Sequence, residues 1–234
     1  MTWQGVKRGL PNLLWHNTYM ESARNKQLEG DLVQYYKDHS ELLFHGWHHI
    51  SFVTRKALEF ADEFNGINRE YVEAAALTHD LNYLVDTTTE VEAGKELRKE
   101  HLTKVGYNQD EINILEKIVY DGTSIHSGNE NISNESKALS DADKLFKVLP
   151  VGPIILSGRY ITETKVNLHT WAERIIRYQK PLLDNGTYFW TTAAKDKYLD
   201  WARLNLAWVE QVQDSLSDPD IQSFLEDCKK LGYL

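Results

Sequence analysis

The sequence predicts an all-α protein, a helical bundle with additional helices towards the C-terminus. Apolar residues recur three and four apart along most of the chain, and no segment shows the strict alternation of a half-buried strand. Only five prolines occur in 234 residues, and Gly, Asn and Pro fall between the periodic stretches, where helices stop. With 41% hydrophobic and 26% charged residues, the composition is that of an ordinary globular chain. The length allows one substantial core, and residues 1–234 read as a single domain without linker or internal repeat.

Ile50, Val53, Ala57, Phe60, Ala61 and Phe64 trace one face of a helix, and Asn65-Gly66 offers its stop. Val72, Ala75, Ala76, His79 and Tyr83 trace the next. Thr89 with Glu92, and Asn108 with Glu111, have the spacing of capping boxes, in which each side chain satisfies an orphan amide of a first turn. Gly106 would end the helix between them. Tyr120 to Ser136 is the longest polar, Gly/Asn/Ser-rich interruption, a length often associated with function. Ala138, Ala142, Leu145 and Leu149 form another stripe, stopped by Pro150, and Pro150 to Gly158 reads as apolar and irregular. In a C-terminal extension, about 159–234, Tyr198, Trp201, Asn205, Trp208 and Val212 have the spacing of a core or dimer seam. Asp218-Pro219 opens the last helix, since proline is tolerated in a first turn.

Several classes of function are excluded by composition. The first thirty residues carry Lys7, Arg8, Glu21, Arg24 and Lys26 and hold no apolar run long enough for a signal sequence or a membrane span, so a cytoplasmic protein is the simplest reading. Cys228 is the only cysteine, which rules out an internal disulfide and a thiolate-rich metal site. Any metal must sit on nitrogen and oxygen. A net charge of −9 without a long Lys/Arg cluster argues against an extended nucleic-acid footprint, but a small anionic ligand is compatible with it, because a local metal outweighs a distant acidic surface. No phosphate-cradling loop, dinucleotide fingerprint or nucleophile elbow occurs.

The chemistry-bearing residues fall in three places. His45-Gly46-Trp47-His48-His49 stands at the entrance to an amphipathic helix, His79-Asp80 follows the small and apolar run Val72 to Thr78, and Asp141-Ala142-Asp143-Lys144-Leu145 lies inside a helical pattern. A single His-Asp pair means little, since nine His and sixteen Asp yield about 0.6 such pairs by chance. The ordered combination is what carries information. Three helices can bring two imidazoles and two carboxylates together, a mixed N/O set suited to Mn, Fe, Ni, Co, Zn or Mg. Among the histidines, His45, His48 and His49 compete for one role, and helical phase does not choose between Asp141 and Asp143.

With these motifs in this order, residues from about 41 to about 149 resemble the HD phosphohydrolase superfamily, in particular its small bacterial branch, whose first motif reads like H-D-W-W-H. On that pattern His45 takes the first His, Trp47 the first Trp, His48 the second Trp and His49 the ligand position. Ala76 to Leu81 matches L-L-H-D-I and Ala142 to Leu145 matches A-D-[RK]-L, while Phe52-Val53 stands for the common Arg-Val and Leu81-Asn82 for Ile-Gly. The resemblance implies an HD-type bundle with His49, His79, Asp80 and Asp143 as ligands of a divalent metal. It also implies hydrolysis of a phosphomonoester or phosphoanhydride, with a nucleotide or deoxynucleotide as the substrate class.

Within that reading Asp80 both ligates the metal and orients water. Phosphate charge would be met by Lys144, Arg55, Lys56 or Arg159, although a lysine in the place of Lys144 is usually a surface charge. Some relatives hold two metals through extra histidines, for which His126 in the polar loop and His101 are the candidates, His101 reading more simply as an ordinary helix-surface or partly buried residue. A di-iron oxygenase, which needs those extra ligands, and a non-catalytic nucleotide-sensing module are the alternatives. The expected partner is a small phosphorylated substrate, and a homo-oligomer is compatible with the sequence.

Overall fold

Every regular element in the computed structural model of the protein, which describes residues 22–39, 41–85, 90–123 and 131–232, is a helix. The chain runs through α1 (Ala23–Asp38), α2 (Trp47–Ala61), α3 (Arg69–Thr78) and the short α4 (Asn82–Val85), then a 3-10 turn (Val91–Gly94), α5 (Lys95–Lys104), α6 (Gln109–Thr123) and α7 (Asn134–Lys147). It continues with α8 (Gly152–Ile155), α9 (Ser157–Thr164), α10 (Leu168–Asp184), α11 (Thr192–Ser215) and α12 (Pro219–Lys230). None of these helices is long and apolar enough to cross a membrane.

At the centre α2 packs against α3 and α7, and α6 covers α7 and α3. The stripe Ile50, Val53, Ala57, Phe60 and Ala61 is fully buried, and the facing helices supply Ala74, Ala75, Ala76, Ala138 and Ala142. Small residues there let helix axes approach closely, which is how three polar motifs reach one point inside a hydrophobic core. Asn25 ties α1 to the bundle by donating to the Glu73 carboxylate at 2.8 Å and accepting from the Tyr107 hydroxyl at 2.6 Å.

Local signals in the sequence are realised where they depend on neighbouring residues. Asn108 Oδ1 accepts from the Glu111 amide at 3.0 Å while Glu111 Oε2 accepts from the Asn108 amide at 2.9 Å, a complete capping box. Gly106 follows α5 with φ +96°, a left-handed conformation that only glycine adopts cheaply. Asp218 accepts from the amides of Asp220 and Ile221 at the start of α12. Thr89 and His126 lie outside the described residues.

Four expectations are corrected. The stripe from Val72 to Tyr83 is not one helix, because α3 ends at Thr78 and Tyr83 belongs to α4. Helix α2 ends at Ala61, four residues before Asn65-Gly66, through tightened turns such as Glu63 N–H to Phe60 O. The polar interruption is shorter than Tyr120 to Ser136, since α6 continues to Thr123 and α7 starts at Asn134. Pro150 to Gly158 is largely helical, holding α8 and the start of α9.

The C-terminal helices are joined to the motif helices by polar clamps. Asp141 on α7 accepts from the Trp190 and Thr191 amides and the Thr191 hydroxyl, and Glu63 accepts from the Thr192 and Ala193 amides at the start of α11. Tyr188, Phe189, Ala194, Tyr198 and Ala202 thereby join the main core, while Trp171, Ala172 and Val209 form a smaller cluster between α10 and α11. In the predicted seam, Trp208 is 37% exposed, lying edge-on to Trp171, and Val209 is the buried neighbour.

Candidate metal centre

The end of α3 sets the first two site residues. Thr78 Oγ1 donates back to the Ala74 carbonyl at 2.8 Å, and the chain then tightens, with Leu81 N–H on Thr78 O and Tyr83 N–H on Asp80 O. His79 Nδ1 lies 2.8 Å from the Ala76 carbonyl, which can only accept, so Nδ1 carries the proton and Nε2 presents its lone pair inward. His49 comes from the first turn of α2. A Cβ on Gly46, the residue before that helix, would stand 2.5 Å from the Leu42 carbonyl, so glycine is needed for the chain to enter α2 at this point.

His49 Nε2 lies 2.9 Å from Asp80 Oδ2, 3.1 Å from His79 Nε2 and 3.6 Å from Asp143 Oδ1, and His79 Nε2 lies 3.3 Å from Asp80 Oδ2. Ligand atoms about 2.1 Å from a shared ion and at right angles stand about 3 Å apart, so these spacings fit one small divalent cation. One atom each from His49, His79 and Asp80 lies within 4.8 Å of the others. Asp143 stands at the edge of this group, its second oxygen 2.6 Å from Lys147 Nζ.

Electrostatics agree with that fit. Burial drives the His49 pKa down to about 4, so this imidazole is neutral. Burial also disfavours charge on His79, but Asp80 and Asp143 outweigh it and raise its pKa, while the two histidines hold Asp80 well below the usual carboxylate range despite its burial. The neutral His49 ring and two ionised carboxylates converge with His79, on which the carboxylates favour a positive charge that a bound cation would supply in the proton's place, and together they form a donor set for a cation.

Of the other predicted residues, Asp141 turns away from the centre to hold residues 190 and 191, and burial pushes its carboxyl up to about 6. Lys144 is not a surface charge: it is 5% exposed, and its ammonium lies 5.7 Å from the Trp190 ring centre and 6.0 Å from that of Tyr188. His45 pairs through Nδ1 with Glu163 of α9 and stacks on Tyr83, with ring centres 3.5 Å apart. His48 is exposed. His101 is more buried than the sequence suggests, and it packs edge-on to Tyr35 of α1, outside the cluster. Lys56 is engaged by Glu59 and the Tyr198 hydroxyl, and Arg55 and Arg159 are exposed.

Asp80 and Asp143 open onto a cavity of about 540 Å³. Lys144, Lys147 and Arg174 line it as well, together with seven aromatic residues, the glutamates Glu90 and Glu92, and three carboxamides, Asn82 after α3 and Gln179 and Asn205 from α10 and α11. Sequence reasoning missed Lys147, Arg174 and Glu163. Lys147 had a signal, its i,i+4 spacing from Asp143. The other two have none, because only packing brings α9 and α10 to the site.

The described residues form a helical bundle with a buried His/His-Asp cluster between its central helices, and their fold is that of a solved HD-superfamily hydrolase. The protein is similar to YpgQ from Bacillus subtilis in a crystal structure in complex with ADP, with a TM-score of 0.58 and 19% identity over 84% of this chain and 99% of that one. A second YpgQ structure gives 0.56 and 19% over 83% and 98%. An HD-superfamily hydrolase from Bacillus thuringiensis gives 0.50 and 20% over 88% and 98%. No family model and no curated protein matches the sequence.

Proposed function

We propose that the protein is a metal-dependent phosphohydrolase acting on a phosphomonoester or phosphoanhydride, with a nucleotide or deoxynucleotide as substrate. The observation that supports this best is the pairing, in one cavity, of the His49, His79, Asp80 and Asp143 donor set with the Lys144 ammonium. Among the described residues Lys144 makes no hydrogen bond and no ion pair, yet it is almost buried. A cation held so carries an electrostatic cost that an anionic ligand removes.

What a divalent ion supplies in such a set is Lewis acidity towards a phosphoryl oxygen and an acidified water near neutral pH. The protein's own residues do the rest. His79, fixed by the Ala76 carbonyl, and His49 hold position by burial, Asp80 orients water from the cavity side, and Lys144 meets phosphate charge. Lys147 keeps Asp143 ionised through their contact. The complex of YpgQ with ADP supports a nucleotide as the substrate class.

The test is metal analysis of freshly purified protein, then phosphate and pyrophosphate release from a panel of nucleotides and other phosphate esters. Release should stop in chelator and return on adding back one metal. Chelator-resistant release would contradict the mechanism, and absence of release from every compound would contradict the function.

A further inference from the structure

We infer that the carboxamide pair Gln179–Asn205, on the cavity wall built by α10 and α11, binds the hydrogen-bonding edge of a nucleobase. The inference rests on the phosphohydrolase reading, which assigns phosphate to the end holding Asp80, Asp143 and Lys144 and leaves the organic part of the substrate to the remaining wall.

Most of that wall is one face of α10. Trp171, Arg174, Ile175, Tyr178, Gln179 and Leu182 recur at three and four along α10, and all line the cavity. The face is apolar and aromatic except for Arg174 and the Gln179 amide. Gln179 is 8% and Asn205 9% exposed, and Asn205 Nδ2 donates to Gln179 Oε1 at 3.1 Å. Neither side chain makes another hydrogen bond among the described residues. The Gln179 NH₂ hydrogens and Asn205 Oδ1 are therefore an unused donor and an unused acceptor on two mutually bonded side chains that line the cavity.

Exchanging N and O in both amides keeps their mutual bond and still leaves one donor and one acceptor. The pair thus recognises a ligand edge that itself carries an acceptor next to a donor. Each nucleobase has such an edge, and enzymes that hold a single base combine edge hydrogen bonds with aromatic or apolar contact on its faces. Tyr188, Trp171 and Ile175 provide contact of that kind here. A cavity of about 540 Å³ is also within the range of small-molecule sites. Where a site is built to hydrogen-bond its ligand, a lost partner leaves the other group unpaired, so discrimination is strong.

The experiment uses the full chain with its metal restored. Binding of unphosphorylated nucleosides is measured by calorimetry. The kcat/KM on the best nucleotide is divided by that on inorganic tripolyphosphate, which has no base. Wild type should bind at least one nucleoside. Gln179→Met and Asn205→Leu should each weaken that binding about 10-fold or more, the effect of losing one buried hydrogen bond. Each should lower the nucleotide-to-tripolyphosphate ratio by a similar factor. Asn205→Asp, which keeps the shape but cannot donate, should change the order of preference among bases, so the idea remains testable if an apolar variant fails to fold. Wild type binding no nucleoside, or variants with unchanged binding and ratio, would overturn the inference. Nucleoside binding that depends on the amides, with no cleavage of any phosphate compound, would leave the base site standing and overturn the phosphohydrolase reading.

Discussion

Replacing Lys144 by methionine should make the protein more stable and less active. The ammonium is buried and makes no hydrogen bond among the described residues, and its pKa falls from 10.5 to about 8, first because burial penalises the charge, an effect Asp141 and Asp143 only partly offset. Each tenfold change corresponds to about 1.4 kcal/mol, so the folded chain carries about 3 kcal/mol of unfavourable free energy from this one charge, as an upper bound. Methionine keeps the packing of the stem, and about 1–3 kcal/mol of stabilisation should appear as a rise in Tm of about 2–10 °C.

Because the unfolded lysine binds its proton more tightly than the folded one, stability rises with pH between the two pKa values. The gain from Lys144→Met should therefore be full below about pH 8 and vanish towards pH 10.5. Loss of a charge-assisted contact to phosphate should meanwhile lower kcat/KM roughly 10–100-fold. The assay is thermal unfolding in chelator, so that no bound cation adds to the field, beside nucleotide turnover with metal restored. A variant that is destabilised, or that is stabilised with unchanged kcat/KM, would refute the reasoning.

His49→Ala, His79→Ala and Asp80→Ala should each lose bound metal and activity together, by elemental analysis and phosphate release, whereas His101→Ala, packed on Tyr35, should keep most of both. Asp143→Ala should abolish turnover and also lower Tm in thermal unfolding, because it leaves the Lys147 ammonium without its partner. Asp141→Ala should retain metal but unfold several degrees lower, since it orphans the Trp190 and Thr191 amides at about 1–3 kcal/mol each, offset in part by relief of a buried carboxyl. Phosphate or pyrophosphate release should survive complete thiol blocking, because Cys228, the only cysteine, lies on α12 away from the cavity. Inactivation by a thiol reagent with Cys228 replaced by serine as control would count against a thiol-independent mechanism.

How much could be read in advance differs by residue. Gly106, Asn108 with Glu111, and Asp218-Pro219 act on amides a few residues away, and all three appear as expected. The stripe through Val72, Ala75 and Ala76 marked the buried face of α3 correctly, but its continuation to Tyr83 misled. Apolar spacing does not register the Thr78 and His79 side chains bonding back to α3 carbonyls where the helix tightens. Lys144 was misjudged for a related reason. Lysine is ordinarily outside, and here Tyr188 and Trp190, from a segment over forty residues away, bring their rings to within about 6 Å of its ammonium.

By itself the sequence determined the helical class, the positions of several caps, and the supply of imidazoles and carboxylates in three helical contexts. These depend on hydrogen bonds and periodicity within a helical turn or two, which a linear pattern records. The match of Ala142 to Leu145 with A-D-[RK]-L favours Asp143 where helical phase is silent, and the tertiary structure turns Asp143 to the histidines while Asp141 holds the start of α11. The tertiary structure alone paired His45 with Glu163 and placed the amides of α10 and α11 beside the cavity. Two aspartates two positions apart point about 200° apart around a helix, and which direction faces the site depends on how neighbouring helices pack, information the spacing within one helix does not contain.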